Sequence, residues 1–130
     1  MKKTNLYLID GKKVPSVTQI LSVVGKPQLM LWYGKLGNEE AKRISNEAKE
    51  YGSFIHELIE QTVSGQKVNV VDKVQPVLDN FNLITKGWKW LEFEKVLLNK
   101  EYMFGGTADA IAEIDGVKTL VDFKTSSGIY

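Results

Sequence analysis

Hydrophobic and polar residues follow a helical period over the N-terminal part of the chain and a strand-like period from Trp88 onward. The longest helical pattern runs from about Asn38 to Val63 and stops at Ser64-Gly65. Its apolar positions recur every three or four residues, which places them on one stripe and predicts that this stripe is buried. These positions are 41, 44, 48, 51, 55, 58, 59 and 63.

Shorter elements precede this helix. Asp10-Gly11 is a turn signal and predicts a hairpin between residues 6–9 and the region of Val14. The segment Ser16-Val-Thr-Gln19 has the form of a capping box and predicts a short helix through Val24. Pro27 breaks that helix, and a second helical segment is expected over 28–36.

One more helix is expected after the long one, over about 75–85, with Pro76 in its first turn. It should turn four apolar side chains inward, namely Val77, Leu78, Phe81 and Ile84. Strands are then expected over 90–98, within 102–114, and over 117–124 after the Asp115-Gly116 turn. Helices followed by antiparallel strands are typical of an α+β fold with one sheet.

Composition narrows the class of protein. The 130 residues are enough for one domain, expected over 1–130, and hydrophobic residues at 43% are ordinary for a soluble protein. No apolar run approaches the ~20 residues of a membrane span. The apolar part of the N-terminus is too short for a signal peptide, so we expect these residues to belong to the fold. The absence of cysteine excludes disulfides and favours a cytoplasmic location.

Charge and side-chain types limit the partners. Without cysteine, a metal must be held by carboxylates, carbonyls or the single histidine, which favours Mg²⁺ or Mn²⁺ over structural zinc. The net charge of +1 argues neither for nor against nucleic acid. Arg43 is the only arginine, so guanine recognition by bidentate arginine contacts is poorly supplied. If the protein acts on DNA, we expect contacts that do not depend on base sequence.

Candidate chemistry lies in the last two predicted strands. Asp109 follows Gly105-Gly106, where the backbone can bend and another group can approach closely. Counting back from the turn at Asp115-Gly116 puts Asp109 opposite Asp122, at a separation of ~5 Å between Cβ atoms. Two carboxylates that close repel each other unless a cation lies between them. The pattern therefore predicts a divalent metal site.

Lys124 extends this pattern. Because Asp122 and Lys124 are two residues apart on a predicted strand, they should share one face, while Phe123 points to the other side. The lysine could hold a water nucleophile or neutralise charge that develops on a phosphate. The alternative is a solvated surface pair without a chemical role. The apolar neighbours Leu120, Val121 and Phe123 count against that alternative.

His56 is the only histidine and lies on the long predicted helix. Gly52, His56 and Glu60 are four residues apart, so they stack along one line of that helix. A glycine in mid-helix costs ~1 kcal/mol relative to alanine, and the close approach of another backbone beside His56 would explain it. A structural role for His56 and a solvated Glu60 are the alternatives.

Together these residues resemble the RecB-like branch of the PD-(D/E)XK nucleases, which includes phage exonucleases and CRISPR-associated exonucleases. The segment YGSFIHELIE is similar to the family's helix with Gly and His, GGTADAI to its G-x-x-D strand, and VDFKTSS to its D-x-K strand. VPSVTQIL and LMLWYGK are similar to the N-terminal region of phage members. The resemblance extends across nearly the whole chain.

The resemblance implies a restriction-endonuclease-like core and metal-dependent hydrolysis of DNA phosphodiester bonds. The enzyme would be an exonuclease of phage or bacterial DNA processing, in the cytoplasm of a bacterium or phage-infected host. Asp109 and Asp122 would ligate Mg²⁺ or Mn²⁺, with His56 as a further ligand and the backbone carbonyl of Phe123 completing the protein's contribution. Lys124 would orient or activate the attacking water.

Two further sets of residues stay open. Glu60 and Glu94 are acidic and lie near a motif, but neither matches an indispensable family position, and both could be solvated charges. Four aromatic residues could stack the bases of single-stranded nucleic acid, although core packing is the commoner use of tryptophan. They are Trp32, Tyr33, Trp88 and Trp90.

The sequence departs from the family at its C-terminal end. RecB-like members usually follow D-x-K with a helix that carries Q-x-x-x-Y, and no such segment follows Ser126. We therefore expect the C-terminal part of the fold to be missing or supplied by a second subunit, with an exposed sheet edge that invites a homo-oligomer. The alternative function is a catalytically incomplete nuclease-fold module that binds DNA or a protein partner. A metal-free structural fragment with solvated Asp109 and Asp122 is a third.

Overall fold

The computed structural model describes residues 6–126. Its elements are β1 (Tyr7–Ile9), β2 (Lys12–Val14), α1 (Val17–Leu21), α2 (Pro27–Leu36), α3 (Asn38–Val63), α4 (Gln75–Ile84), β3 (Lys89–Asn99), β4 (Phe104–Ile114) and β5 (Val117–Val121). The described part is an α+β structure, as expected, but the expectation of one sheet is wrong, because β1 and β2 pair with each other in a two-stranded sheet apart from the three-stranded antiparallel sheet. None of its helices is long and apolar enough to cross a membrane. Residues 1–5, which we expect to belong to the fold, lie outside the described residues. Residues 127–130, where the sequence shows no Q-x-x-x-Y motif, lie outside them as well.

Both predicted two-residue turns are present. Asp10 and Gly11 join β1 to β2 with φ values of 50° and 75°, and Asp115 and Gly116 join β4 to β5 with φ values of 50° and 78°. Positive φ at both central residues is what a type I′ turn requires, and aspartate and glycine tolerate it. Each turn therefore sets the register of its hairpin locally.

Helix α1 begins with the predicted capping box. The backbone N–H of Gln19 donates to the Ser16 hydroxyl at 3.1 Å, and the N–H of Ser16 donates to the Gln19 side chain at 2.9 Å. The helix ends at Leu21, so the prediction that it continues through Val24 is wrong. The N–H groups of Val23 and Val24 bond to carbonyls three residues back, which tightens the last turn and ends the helix.

Helix α3 has the predicted bounds, but only part of its apolar stripe is buried. Ile55, Leu58 and Ile59 pack in the core, whereas Tyr51 is 47% exposed. The helix has 26 residues and is therefore ~39 Å long, while α4, which packs beside its C-terminal half, has only 10. The expectation that the whole stripe is buried is wrong because the partner helix is too short to cover it.

Helix α4 turns one of its four expected inward residues fully into the core. Leu78 is 4% exposed and Phe81 is half-buried, but Val77 and Ile84 are 36% and 69% exposed. Leu78 and Phe81 are three residues apart and face α3 together, while Val77 and Ile84 lie on a neighbouring line of the helix. The core that this helix completes contains Ile55, Leu58, Ile59, Val74 and Leu78.

Strands β3, β4 and β5 form the larger sheet in that order. β5 pairs with β4 in the register expected from the turn, as far as Val121 opposite Ala110. The expected continuation of this strand to Lys124 is wrong. The backbone N–H of Phe123 donates to the carboxylate of Asp109 at 2.8 Å instead of to a carbonyl of β4, so the chain leaves the ladder.

The N-terminal hairpin docks on the start of β4 at Gly105-Gly106. A Cβ on Gly105 would lie 2.6 Å from Cγ of Tyr7, and one on Gly106 would lie 3.1 Å from Cγ2 of Val17. The N–H of Gly105 donates to the carbonyl of Pro15 at 3.0 Å. These contacts confirm the close approach expected at this glycine pair, and they anchor β4 just before Asp109.

Candidate active site

Asp109 is held on the middle of β4, where its carboxylate faces the segment that follows β5. Its Oδ2 atom accepts the hydrogen bond from the backbone N–H of Phe123, and its side chain is 24% exposed. A carboxylate fixed by a backbone N–H has a defined orientation. Asp109 is therefore positioned by the same bond that ends β5.

His56 approaches the same segment from helix α3. Its Nε2 atom lies 2.8 Å from the carbonyl oxygen of Phe123, and its Nδ1 atom lies 3.9 Å from Oδ1 of Asp109. Because a carbonyl oxygen only accepts, Nε2 carries the proton in this bond. The imidazole thus faces both expected metal-ligand groups, Asp109 and the carbonyl of Phe123.

Phe123 connects three elements through its backbone and its ring. The N–H binds Asp109 of β4 and the carbonyl binds His56 of α3. Its ring meets those of His56, Phe81 and Trp90, with centroid distances of 5.7, 5.9 and 6.0 Å. The ring lies on the core side while its neighbours in sequence are exposed, as expected for alternating side chains.

Asp122 and Lys124 form an ion pair on the exposed side of this segment. The Nζ atom of Lys124 lies 2.8 Å from Oδ2 of Asp122, and the two side chains are 80% and 60% exposed, respectively. An ion pair this exposed adds little stability. Geometry alone therefore leaves the solvated-pair alternative open for these two residues, in contrast to Asp109.

The two carboxyl groups differ in their electrostatics. Burial raises the pKa of Asp109 and outweighs the Phe123 N–H, which lowers it; the neighbouring carboxyl of Asp122 raises it further. The hydrogen bond from Lys124 lowers the pKa of Asp122, and the contact with Asp109 lowers it as well. Asp122 in turn raises the pKa of the Lys124 ammonium group. Two adjacent carboxyls with pKa values pushed apart are typical of catalytic and metal sites.

The structure brings all five predicted site residues to one end of the sheet, although not in the predicted way. Asp109 and Asp122 meet as neighbouring carboxyl groups rather than as a cross-strand pair, since the ladder ends one step earlier. His56, Phe123 and Lys124 are contributed by α3 and by the segment after β5.

The donor types suit Mg²⁺ or Mn²⁺, but the donors are engaged with one another. Among residues 6–126, no group of three or more histidine and acidic side chains is arranged to hold a metal ion. The Nε2 proton of His56 points at the Phe123 carbonyl, so binding an ion through Nε2 would require loss of that proton. Two neighbouring ligands of an octahedral Mg²⁺ lie ~3 Å apart, which is close to the 2.8 Å between this nitrogen and this oxygen.

Comparisons with known proteins do not assign a family to this arrangement. No protein-family model matches the chain, and no curated protein matches it at a significant level. The candidate site therefore rests on its own residues and on the motifs in the sequence.

The two lesser acidic candidates lie beside the site. A recess of about 20 Å³ is lined by His56, Glu60, Phe93, Glu94, Asp109 and Phe123. Glu94 has a φ of 47° although it lies within β3. Its neighbours Phe93 and Lys95 pair with Ala110 and Ala108, so Glu94 lies across from Asp109. A positive φ is strained for a glutamate within a strand, and no pattern in the sequence predicts it.

Gly52 has a neighbour that sequence reasoning missed. A Cβ on Gly52 would lie 3.2 Å from Oγ1 of Thr125. Another segment approaches α3 one turn from His56, as expected, but the approaching group is the side chain of Thr125 rather than a backbone. Thr125 follows the D-x-K motif and carries no signal of its own, because the contact depends on how the segment after β5 crosses the helix.

The aromatic residues divide between packing and a groove. Trp90 stacks on Phe81 and Phe93 with centroid distances of 5.8 and 5.4 Å, so it serves the core. Trp32 and Tyr33 meet edge to face at 5.3 Å. Trp88 lines a groove of about 480 Å³ that also reaches Asp122 and Lys124. A larger cavity of about 600 Å³, between Val17 and Leu97, contains none of the candidate residues.

Proposed function

We propose that this protein is a Mg²⁺- or Mn²⁺-dependent deoxyribonuclease with a restriction-endonuclease-like core, related to the RecB-like PD-(D/E)XK nucleases. Its role would be that of an exonuclease in phage or bacterial DNA processing, in the cytoplasm. The observation that carries the proposal is the convergence of His56 and Asp109 on the D-x-K segment. Two 2.8 Å hydrogen bonds link them to the backbone of Phe123, in the middle of that motif.

Each residue has a defined task in hydrolysis. Asp109, Asp122, His56 and the Phe123 carbonyl would hold the ion, which supplies charge stabilisation and lowers the pKa of bound water. The Nζ atom of Lys124 lies 2.8 Å from Oδ2 of Asp122, beside the proposed ion site. It would donate a hydrogen bond to the attacking water or to a phosphate oxygen. The water oxygen would form a bond to phosphorus as the bond to the leaving oxygen breaks, with the water proton passing to solvent and the leaving oxygen taking a proton from solvent.

DNA binding is expected to be independent of base sequence. Arg43 is the only arginine in the chain, and its guanidinium group binds Glu47 at 2.7 Å and Glu40 on its own helix. Both ion pairs are exposed and engage donors of this guanidinium group. Phosphate contacts through lysines fit an enzyme that digests DNA of any sequence.

Substitution of the site tests the proposal directly. Asp109→Asn and Lys124→Ala should each lower metal-dependent DNA degradation by at least ~100-fold, since the first removes a proposed metal ligand and the second removes the cation that would act on the water or the phosphate. Asp115→Asn and Lys118→Ala, at the exposed hairpin tip, are matched controls and should retain parental rates. Circular dichroism verifies the fold of all four. If both site variants degrade DNA at the parental rate, the assignment is wrong.

A second candidate is a nuclease-fold module that binds DNA or a protein without cleaving it. It is favoured by the engagement of His56 with Phe123 and by the lack of a three-ligand group in the described part of the chain. Binding of a DNA end with no turnover in either Mg²⁺ or Mn²⁺ would support it. Within residues 6–126, β5 has a partner on one side only. Pairing of two copies through this edge stays a prediction, which light scattering can test.

A further inference from the structure

Gly52 lies one turn before His56 on α3, in the interior of a 26-residue helix. Glycine lowers helix stability at such a position, and a close neighbour that leaves no room for a Cβ would explain its presence. Among residues 6–126, the one atom of another segment that would come within 4 Å of a Cβ here is Oγ1 of Thr125, at 3.2 Å. The glycine therefore admits one particular neighbour.

This contact lies one helical turn from the hydrogen bond between α3 and the same segment after β5. Gly52 faces Thr125, and one turn later His56 binds the carbonyl of Phe123. Four helical residues rise ~6 Å, and two extended residues advance ~6.6 Å. Because these spans match, the segment runs antiparallel along one turn of the helix and touches it at both ends of that turn.

We propose that Gly52 is a positioning residue for the candidate active site. The lack of a Cβ lets Thr125 lie against α3, and this contact sets how close the Phe123 carbonyl comes to His56. Lys124, between Phe123 and Thr125, is placed by the same contact. The inference rests on the proposed function for its role in metal binding, whereas the positioning itself is a property of the metal-free protein.

The test compares Gly52→Ala and Gly52→Leu with Gly34→Ala and Gly34→Leu. Gly34 lies in helix α2, and a Cβ there would meet nothing within 4 Å, so it is a matched control. We expect Mn²⁺ affinity, measured by electron paramagnetic resonance, to fall a few-fold in Gly52→Ala and 10- to 100-fold in Gly52→Leu. The Gly34 variants should bind like the parent.

A second readout needs no metal. His56 is the only histidine, so its imidazole signals in a ¹H–¹⁵N spectrum are unique. The Nε2–H signal, protected by the Phe123 carbonyl, should broaden in Gly52→Ala and disappear in Gly52→Leu. Thr125→Ala removes the opposing hydroxyl and should restore both this signal and Mn²⁺ affinity in the Gly52→Ala background. The thermal midpoint of Gly52→Ala should not fall, because alanine favours the helix.

The outcomes separate the two proposals. If Gly52→Ala and Gly52→Leu both keep the parental Nε2–H signal and Mn²⁺ affinity, or if Thr125→Ala rescues neither, the positioning role is wrong and the nuclease proposal stands. If the parent binds no Mn²⁺ while the signal is lost and rescued as described, positioning is supported and the metal-dependent function fails. If Gly52→Leu does not fold, the positioning role is tested with Gly52→Ala, Thr125→Ala and the double variant, using the same Nε2–H signal.

Discussion

Gly52 and Gly105 each allow a side chain from another segment to lie against a helix or strand, and they do so in different surroundings. At Gly105 a Cβ would meet three atoms of Tyr7, at 2.6, 2.7 and 2.8 Å, and Tyr7 belongs to a buried cluster with Ile9 and Val14. At Gly52 it would meet one hydroxyl oxygen at 3.2 Å, next to a segment whose polar side chains are exposed.

This difference indicates that the contact at Gly105 stabilises the fold, whereas the contact at Gly52 positions the candidate active site. The Tyr7 ring cannot move away from Gly105 without disrupting its packed cluster, so this contact cannot adjust to a larger side chain. A threonine hydroxyl on an exposed segment can shift by a few tenths of an ångström. We therefore expect substitutions at the hairpin junction to change the free energy of unfolding, and substitutions around Gly52 to change metal binding first.

The largest effect should come from Gly105→Ala. A methyl group in contact with the Tyr7 ring overpacks the junction, and we expect a loss of about 3 kcal/mol in the free energy of unfolding. Urea denaturation measures it, with Gly25→Ala as the control because a Cβ there meets nothing within 4 Å. A Gly105→Ala protein as stable as the parent would show that the hairpin does not pack on β4 in this way.

Phe123→Ala should have an intermediate effect and connects the two regions. Its half-buried ring packs on Phe81 and Trp90, so truncation should cost about 2 kcal/mol, below the cost at a fully buried position. The backbone groups that bind Asp109 and His56 remain, but their support is lost. We expect reduced Mn²⁺ affinity as well as reduced stability.

Phe123→Leu is the control for that substitution, since it keeps apolar volume in the same place. It should retain most of the stability and of the Mn²⁺ affinity, both measured as for Phe123→Ala. If Phe123→Ala loses stability while Mn²⁺ affinity stays at the parental level, the ring does not hold the segment against the site. Phe123 would then stabilise the fold without supporting the candidate active site.

Local patterns predicted those parts of the fold that depend on nearby residues. The bounds of α3 follow from its apolar period, and the register of β4 with β5 follows from the turn at Asp115-Gly116. The exposure of Tyr51 could not be predicted, because it depends on the length of a helix elsewhere in the chain.

The candidate site shows the same division. Its residue types and their order along the chain are visible in the sequence, which is why Asp109, Asp122 and Lys124 could be named. The end of β5 at Val121 was missed, because the bond that ends the strand is made by a side chain. The contact of Thr125 with Gly52 and the positive φ of Glu94 likewise depend on tertiary packing.

The smallest effect on stability, and the one with an informative sign, is expected for Asp109→Asn. Burial raises the pKa of Asp109, so the ionised carboxyl is less favourable in the folded chain than in the unfolded one. This penalty is absent below the unfolded pKa of about 4 and complete above the folded pKa. An asparagine can accept the same hydrogen bond from Phe123 without carrying the charge.

Asp109→Asn should therefore raise the thermal midpoint at neutral pH in the absence of metal, and this gain should vanish as the pH falls toward 4. Added Mn²⁺ should reverse the order, because only the parent would bind the ion through this carboxylate. Thermal melts at several pH values, with and without Mn²⁺, measure all three expectations. A variant that is less stable than the parent at neutral pH without metal would mean that Asp109 serves the fold rather than the site. The contrast between the two junctions would then no longer hold.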